Sequence, residues 1–445
     1  MKRSAWRYLW QSEDIRKKLL ITLLLLVIYR LAANIPVPGI DVALISNLTN
    51  SSNPAANLLN MLNLLSGGTL SKFSILAMGV YPYITAQIIL QLLIPIIPAL
   101  EQRMKENPRE GQVWMEKWTM ILTIPMALLS AVGQINIFSQ LAGQSVFPNY
   151  GWTGANLLPT LTVLITMTAG TMFGVWIGQL ISEYGIPKQG LSLVIFAGIV
   201  SQIPTNFASL LSDRVNGWWM TILIGLILVA VIFAIVFVQQ GRRNVPVFFP
   251  GRRVGNRMSM PVHSNLPLMV NMAGMIPLIF AQAILTFPSI LASYFVSSQT
   301  PFVANLALGI QTLFNSQGPF YGIIYFTMVV AFTFFYTDVL FSQQNYGDNL
   351  KRQGAHIPGV TVGAATQKYL TRVQRRITLP GAAFLGFVAV LPYMLQAVFP
   401  ANARAGLFLI SASGLLIVVG VVRDTFTIIE TELKLHGYQE SLIKG

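Results

Sequence analysis

The chain has 445 residues, 54% of them hydrophobic and only 10% charged, with a mean hydropathy of +0.61, a formal net charge of +14 and no cysteine. Soluble domains carry about 25% charged residues, so a water-soluble fold is excluded; disorder, disulfide scaffolds, zinc–thiolate sites and thiol nucleophiles go as well. A spanning helix uses roughly 20 apolar residues, and nearly half of this chain is available for that purpose.

Charge-free apolar runs predict ten spans, at 19–35, 73–98, 118–138, 157–182, 190–211, 217–238, 266–291, 320–341, 377–398 and 405–422. The first run follows a basic start like that of a signal peptide. Glu13 and Asp14 beside it, and nine further spans, mark it as a retained first span. Two apolar pieces, 57–65 and 301–314, are too short to cross and read as re-entrant or interfacial helices.

Charge placement sets the expected orientation. With the N-terminus in the cytoplasm, 25 of the 29 basic residues fall in inside segments. Only Lys72, Arg214 and Arg404 fall outside, and Arg30 lies near the outer end of span one, where it can snorkel. Both termini are then cytoplasmic. The expected organisation is an N-terminal segment (1–18), a first half with spans one to five (19–211), a joint (212–217), a second half with spans six to ten (218–422) and a tail (423–445). Basic loops lie at 239–263 and 342–376. Halves with five spans each must insert in opposite directions, as in inverted-repeat membrane proteins, whose working sites lie on helices broken by Gly and Pro. Gly79-Val-Tyr-Pro82 in span two and Gly274-Met-Ile-Pro277 in span seven occupy corresponding positions.

Much chemistry is missing. His263, His356 and His436 all fall in loops or the tail, no carboxylate lies at the centre of a span, and no GxxxxGK[ST] motif occurs. The chain reads as a conduit or a scaffold, not an enzyme or a pump, with no cofactor and no metal.

The stretch Ser74-Ile-Leu-Ala-Met-Gly-Val-Tyr-Pro-Tyr-Ile-Thr-Ala-Gln-Ile-Ile-Leu-Gln-Leu-Leu93 resembles the second-span signature of the SecY family, the channel subunits of the bacterial Sec translocase. The similarity extends to Ile35-Pro-Val-Pro-Gly-Ile-Asp41, Asn63-Leu-Leu-Ser-Gly-Gly68, Ile195-Phe-Ala-Gly-Ile-Val200, Leu266–Phe280 and Leu415-Leu-Ile-Val-Val419, in family order over nearly the whole chain. The resemblance implies an all-α hourglass of ten helices in two inverted five-helix halves, in the bacterial plasma (inner) membrane. Such a channel passes unfolded polypeptides across the membrane and releases hydrophobic helices sideways. An inverted-repeat small-solute transporter is the alternative reading.

Site residues follow from the resemblance, position by position. A pore ring is expected at Val80, Ile84, Leu191, Ile195, Ile279 and Ile417; the pairs 80/84 and 191/195 are spaced to share a helix face, and aliphatic rings dewet and block ions. A plug half-helix is expected over Asn57, Leu58, Leu59, Asn60, Met61, Leu62, Asn63, Leu64 and Leu65, with Ser66, Gly67 and Gly68 as its flexible joint. Thr85, Gln87 and Asn271 match the polar lateral gate, with Met126 where the family commonly has a third polar residue. Arg242, Arg243, Arg252, Arg253 and Arg257 in one loop, and Lys351, Arg352, Lys368, Arg372, Arg375 and Arg376 in the other, suit docking to ribosomal RNA or an acidic partner surface. The implied partners are SecE-like and SecG-like small membrane subunits, the SecA motor ATPase, the ribosome, signal peptides, nascent chains and membrane lipids.

Three stretches depart from the family pattern. Gly185-Ile-Pro-Lys-Gln-Gly190 replaces Gly-Ile-Gly-Asn-Gly, and Asn107-Pro-Arg-Glu-Gly-Gln112 lacks an Arg pair. Ile357-Pro-Gly-Val-Thr-Val-Gly363 has Thr361 where the family carries an Arg that helps couple the motor to the channel.

Overall fold

The computed structural model describes residues 12–40, 73–142, 146–147, 150–151, 154–211, 217–249, 253–254, 257–258, 262–295, 300–314, 320–398 and 412–435. The plug stretch Asn57–Gly68, the outer half of the expected tenth span, Arg252 and most of the joint at 212–217 lie outside the described residues.

A helix stands at every one of the ten predicted spans: α1 (Glu13–Ala32), α2 (Tyr81–Ile96), α4 (Pro108–Ala142), α5 (Leu157–Tyr184), α6 (Gly190–Leu211), α7 (Gly217–Gln240), α8 (Ile276–Phe295), α10 (Tyr321–Gln343), α12 (Ala364–Val398) and α13 (Ala412–Leu435). Between them lie the shorter α3 (Pro98–Glu106), α9 (Pro301–Leu313) and α11 (Tyr346–Arg352). Among the described residues, Arg109–Asn136, Leu157–Tyr184, Tyr321–Arg352 and Ala364–Leu395 are each long and apolar enough to cross a membrane, and Tyr81–Ile94 with Pro98–Met104, bent by 97°, is either a broken fifth span or a re-entrant pair. The piece at 301–314, expected to be a short non-spanning helix, is the 13-residue α9.

Local chemistry explains where the helices start. Ser12 takes extended backbone before α1, and Glu13 and Asp14 in its first turn complement the helix dipole. Ile15, Thr22 and Tyr29, seven residues apart, are its buried stripe, whereas Leu20, Leu23, Leu24 and Leu31 are exposed. That inside-out distribution suits a helix whose outer solvent is lipid. Span two is shorter than predicted. Residues 73–80 run as turns, because Gly79 takes φ +54°, and α2 begins only at Tyr81 with Pro82 at its second position. Span seven repeats the device: Gly274 takes φ +64° and α8 begins at Ile276, again with proline second.

The residues 242–269 are not the plain loop and early span expected from sequence. They form an antiparallel hairpin, β1 (Arg242–Phe249) with β4 (Val262–Met269), paired from Arg242↔Met269 to Phe249↔Val262, with a small inner pair β2 (Arg253–Val254) and β3 (Arg257–Met258). Alternation decides it: Val245 and Val247 are buried while Asn244 and Pro246 are exposed.

Two compact units result. The first comprises 1–224, 283–321 and 399–445; the second comprises 225–282 and 322–398. In the first, a core of Phe73, Met78, Ile135, Phe138, Phe147 and Met167 sits beside the motif at 35–37. Phe73 meets Phe138 edge-on at 5.0 Å, and the Ile35-Pro36-Val37 strand pairs with 73–75 through N–H bonds of 3.1 and 2.9 Å. In the second, the hairpin, α11 and the start of α12 close around Val245, Leu268, Phe341, Leu350, Ile357 and Leu370.

Candidate functional site

One feature of α5 organises the expected pore residues of the first unit. Gly170, Gly174 and Gly178 recur every fourth residue and so share one face. A Cβ on Gly170 would stand 1.8 Å from the Ile75 carbonyl oxygen, and one on Gly178 would stand 2.8 Å from Leu191 Cδ2. At Gly174 the neighbours are Tyr29 Cε2 at 3.4 Å and Val80 Cγ1 at 3.5 Å. Gly190 completes the contact from α6, where a Cβ would fall 1.7 Å from the Gly178 carbonyl oxygen. Small residues at this spacing let membrane helices approach backbone to backbone. Val80 and Leu191 therefore lean on the same helix at positions four residues, about 6 Å, apart. The signal was present as a GxxxGxxxG pattern, but what it would touch was not.

The other ring positions follow from their helices. The Val80 carbonyl accepts the Ile84 N–H at 3.1 Å, so Val80 ends the turn segment and Ile84 lies on the first turn of α2. Leu191 and Ile195 are one turn apart at the start of α6, against which α13, carrying Ile417, packs. Val80, Ile195 and Ile417 are buried, and Ile84 and Leu191 half-buried. Ile279, in the second unit, is buried on the first turn of α8.

The polar residues matched to a gate are occupied locally. Thr85 donates its hydroxyl to the Tyr81 carbonyl at 3.0 Å, and Asn271 donates Nδ2 to the Gly274 carbonyl at 3.1 Å. Asn271 Oδ1 is buried with no hydrogen-bond partner among the described residues, so an acceptor is held in reserve. Gln87 is half-buried and so is Met126. A contact that sequence reasoning missed is the Tyr81 hydroxyl, which donates to the Ala283 carbonyl at 3.4 Å and so links α2 to α8.

The two basic loops, separate in sequence, are one body. Phe248 in β1 and His356 exchange N–H···O bonds of 2.9 Å in both directions, and Phe248 lies between the rings of His263 and His356. Arg242 and Arg243 are exposed at the base of the hairpin, and Lys351 and Arg352 are exposed in the last turn of α11. Arg253 and Arg257 sit on the inner strand pair. Lys368, Arg372, Arg375 and Arg376 are not loop residues: α12 starts 13 residues before the predicted span and carries them on its first four turns. Arg375 is engaged, its Nε and Nη2 gripping Asp338 of α10 at 2.8–3.2 Å. Thr361 is exposed between Gly359 (φ +78°) and Gly363 (φ +104°), and its carbonyl accepts the Thr366 hydroxyl at 2.8 Å. In the divergent turn after α5, Lys188 takes φ +62°, a conformation that normally selects Gly or Asn. Among the described residues no cluster of three His, Cys, Asp or Glu could hold a metal.

Residues 74–426 match the SecY protein family. The chain is 35% identical over 449 residues to a protein translocase subunit SecY of Streptomyces scabiei, covering 98% of this chain and 99% of that one. It is 33% identical to the protein translocase subunit SecY of Escherichia coli K12, covering 97% and 95%. Two solved structures share the fold at 18% identity. One, described as a protein conducting channel, aligns with a TM-score of 0.63 over 98% of this chain and 99% of its own. The other is of a SecY protein whose plug domain stabilises the closed state of the translocation channel, with a TM-score of 0.61 and the same coverage.

Proposed function

The chain belongs to the SecY family, and on that premise we propose how its residues divide the work of a protein-conducting channel. It is the central, non-catalytic pore subunit, a multi-pass membrane protein that moves polypeptides across the membrane. The observation that carries this is similarity along essentially the whole chain, not at one motif. The six aliphatic positions matched to the constriction agree with it: a passing chain of any sequence would meet there no side chain that must hydrogen-bond to it.

Val80, Ile84, Leu191, Ile195, Ile279 and Ile417 form the constriction. Each carries only an aliphatic side chain, and the glycine stripe of α5 gives Val80 and Leu191 a firm backing. Asn57–Gly68 is the plug. Thr85, Gln87 and Asn271 belong to a lateral gate between spans two and three and spans seven and eight, through which hydrophobic helices leave into the lipid. The buried, unpartnered Oδ1 of Asn271 supports that role, since a hydrogen bond between spans is worth about 0.6–2 kcal/mol, enough to hold a gate shut without locking it. The halves 19–211 and 218–422 hinge at 212–217, with both termini and both basic loops in the cytoplasm. There Arg242, Arg243, Lys351 and Arg352 on the fused hairpin–loop body form the platform for the ribosome or the SecA motor. SecE-like and SecG-like subunits complete the complex in a bacterial plasma membrane.

The test is ion conductance of proteoliposomes. Ile417→Asn places a hydrogen-bonding amide in the constriction, and the variant channel is expected to leak ions and to accept weaker signal sequences. Conductance and signal stringency equal to the parent's would overturn the ring assignment.

A further inference from the structure

The cations at the start of α12 differ from those on the hairpin in what lies below them. Lys368, Arg372 and Arg376 are spaced every fourth residue and are all exposed. None of them forms an ion pair with a carboxylate among the described residues, whereas neighbouring Arg375 is taken by Asp338. They line an open groove of about 840 Å³, with Asp348 and Leu379 also in its lining.

The same helix face then continues as hydrocarbon. Leu379, Phe387 and Met394 are 61%, 51% and 51% exposed. At 3.6 residues per turn these three and the three cations fall within about 100° of arc, a single stripe. From Arg376 to Met394 the helix rises about 27 Å, close to the roughly 30 Å hydrocarbon thickness of a bilayer. In a membrane protein an exposed apolar stripe of that length faces lipid tails. The three cations at its end therefore stand at the level of the lipid phosphates and above.

We propose that this stripe is a binding site for an acidic phospholipid, the phosphate held by Lys368, Arg372 and Arg376 and an acyl chain laid along Leu379, Phe387 and Met394. The donor set fits a phosphate: two guanidiniums can fork onto its oxygens while an ammonium adds a point charge. The assignment separates these three cations from the docking platform on the hairpin and stands independently of it, resting only on the chain's spanning the membrane.

The experiment is native mass spectrometry of the detergent-purified full chain, titrated with phosphatidylglycerol and, separately, with phosphatidylcholine. The parent is expected to bind phosphatidylglycerol saturably and with clear preference. The variant K368Q/R372Q/R376Q is expected to lose affinity by roughly fivefold per cation removed. The charge-keeping K368R/R372K/R376K should retain the site, and R242Q/R243Q, which removes hairpin cations, should bind as the parent does. Undiminished phosphatidylglycerol binding by the glutamine variant would overturn the proposal. So would equal affinity for the two lipids, or a glutamine variant that fails to co-sediment with ribosomes while keeping its lipid.

Discussion

Alanine substitution of five glycines should give a graded response that can be ranked in advance from the packing of α5 and α6. At Gly190 and Gly170 the added methyl would fall 1.7 and 1.8 Å from carbonyl oxygens of Gly178 and Ile75. Those are backbone atoms, so the helix, not a side chain, has to move by well over an ångström. Overpacking costs about 1–3 kcal/mol when side chains can adjust, and both of these variants should lie at or beyond the upper end. Gly178→Ala meets Leu191 Cδ2 at 2.8 Å and Cγ at 3.1 Å, atoms that rotation can partly clear, so a cost of about 1–2 kcal/mol is expected. Gly174→Ala meets nothing nearer than 3.4 Å and should be close to neutral. Gly225 in α7 has no atom within 4 Å, and alanine there should gain about 0.5–1 kcal/mol through the lower entropy of the unfolded chain. The assay is the thermal midpoint of each purified variant in one detergent, paired with ion conductance in proteoliposomes. Because Gly178→Ala displaces Leu191, its leak should exceed what its small loss of stability explains. A midpoint for Gly190→Ala equal to that of Gly225→Ala would refute the reasoning, as would unchanged conductance in Gly178→Ala.

Three further outcomes are expected. Deleting residues 58–65 should leave a folded but leaky channel, read as conductance with an unchanged elution profile; an aggregated product would place that segment in the core instead. Cysteines replacing Thr85 and Asn271 should crosslink at rest and stop secretion, and continued secretion at full crosslinking would dismiss the gate assignment. Thr361→Arg should raise translocation-dependent ATP hydrolysis by a SecA whose own channel carries Arg there, by about tenfold or more if one charge-assisted hydrogen bond is restored. Equal activity on both channels would show that coupling does not pass through position 361.

That a helix stands at each of the ten predicted apolar runs could be read directly from the chain, for a physical reason. In lipid a backbone polar group must be satisfied within its own segment or by surrounding protein, so spans are written mostly as long apolar runs, and such runs are visible without any partner. The two helix breaks were equally open to reading, since Gly79 and Gly274 supply the positive φ that precedes each proline-led helix. Helix ends were less so. The starts of α4 and α12 extend well beyond the apolar runs, because a helix once nucleated continues through Lys368–Arg376 as readily as through leucines. The β-hairpin was hidden by Leu266–Met269, whose apolar character suits a span as well as a strand; only the Val245/Val247 alternation pointed to a sheet. Contacts between distant segments were decided by tertiary structure alone. Asp338 meets Arg375 across 37 residues of sequence, Phe248 meets His356, and Gly178 meets both the Leu191 side chain and Gly190. Periodicity tells which face a residue occupies, but not which neighbour that face will meet, and the packing of α5 against Val80 and Leu191 was settled by tertiary structure alone.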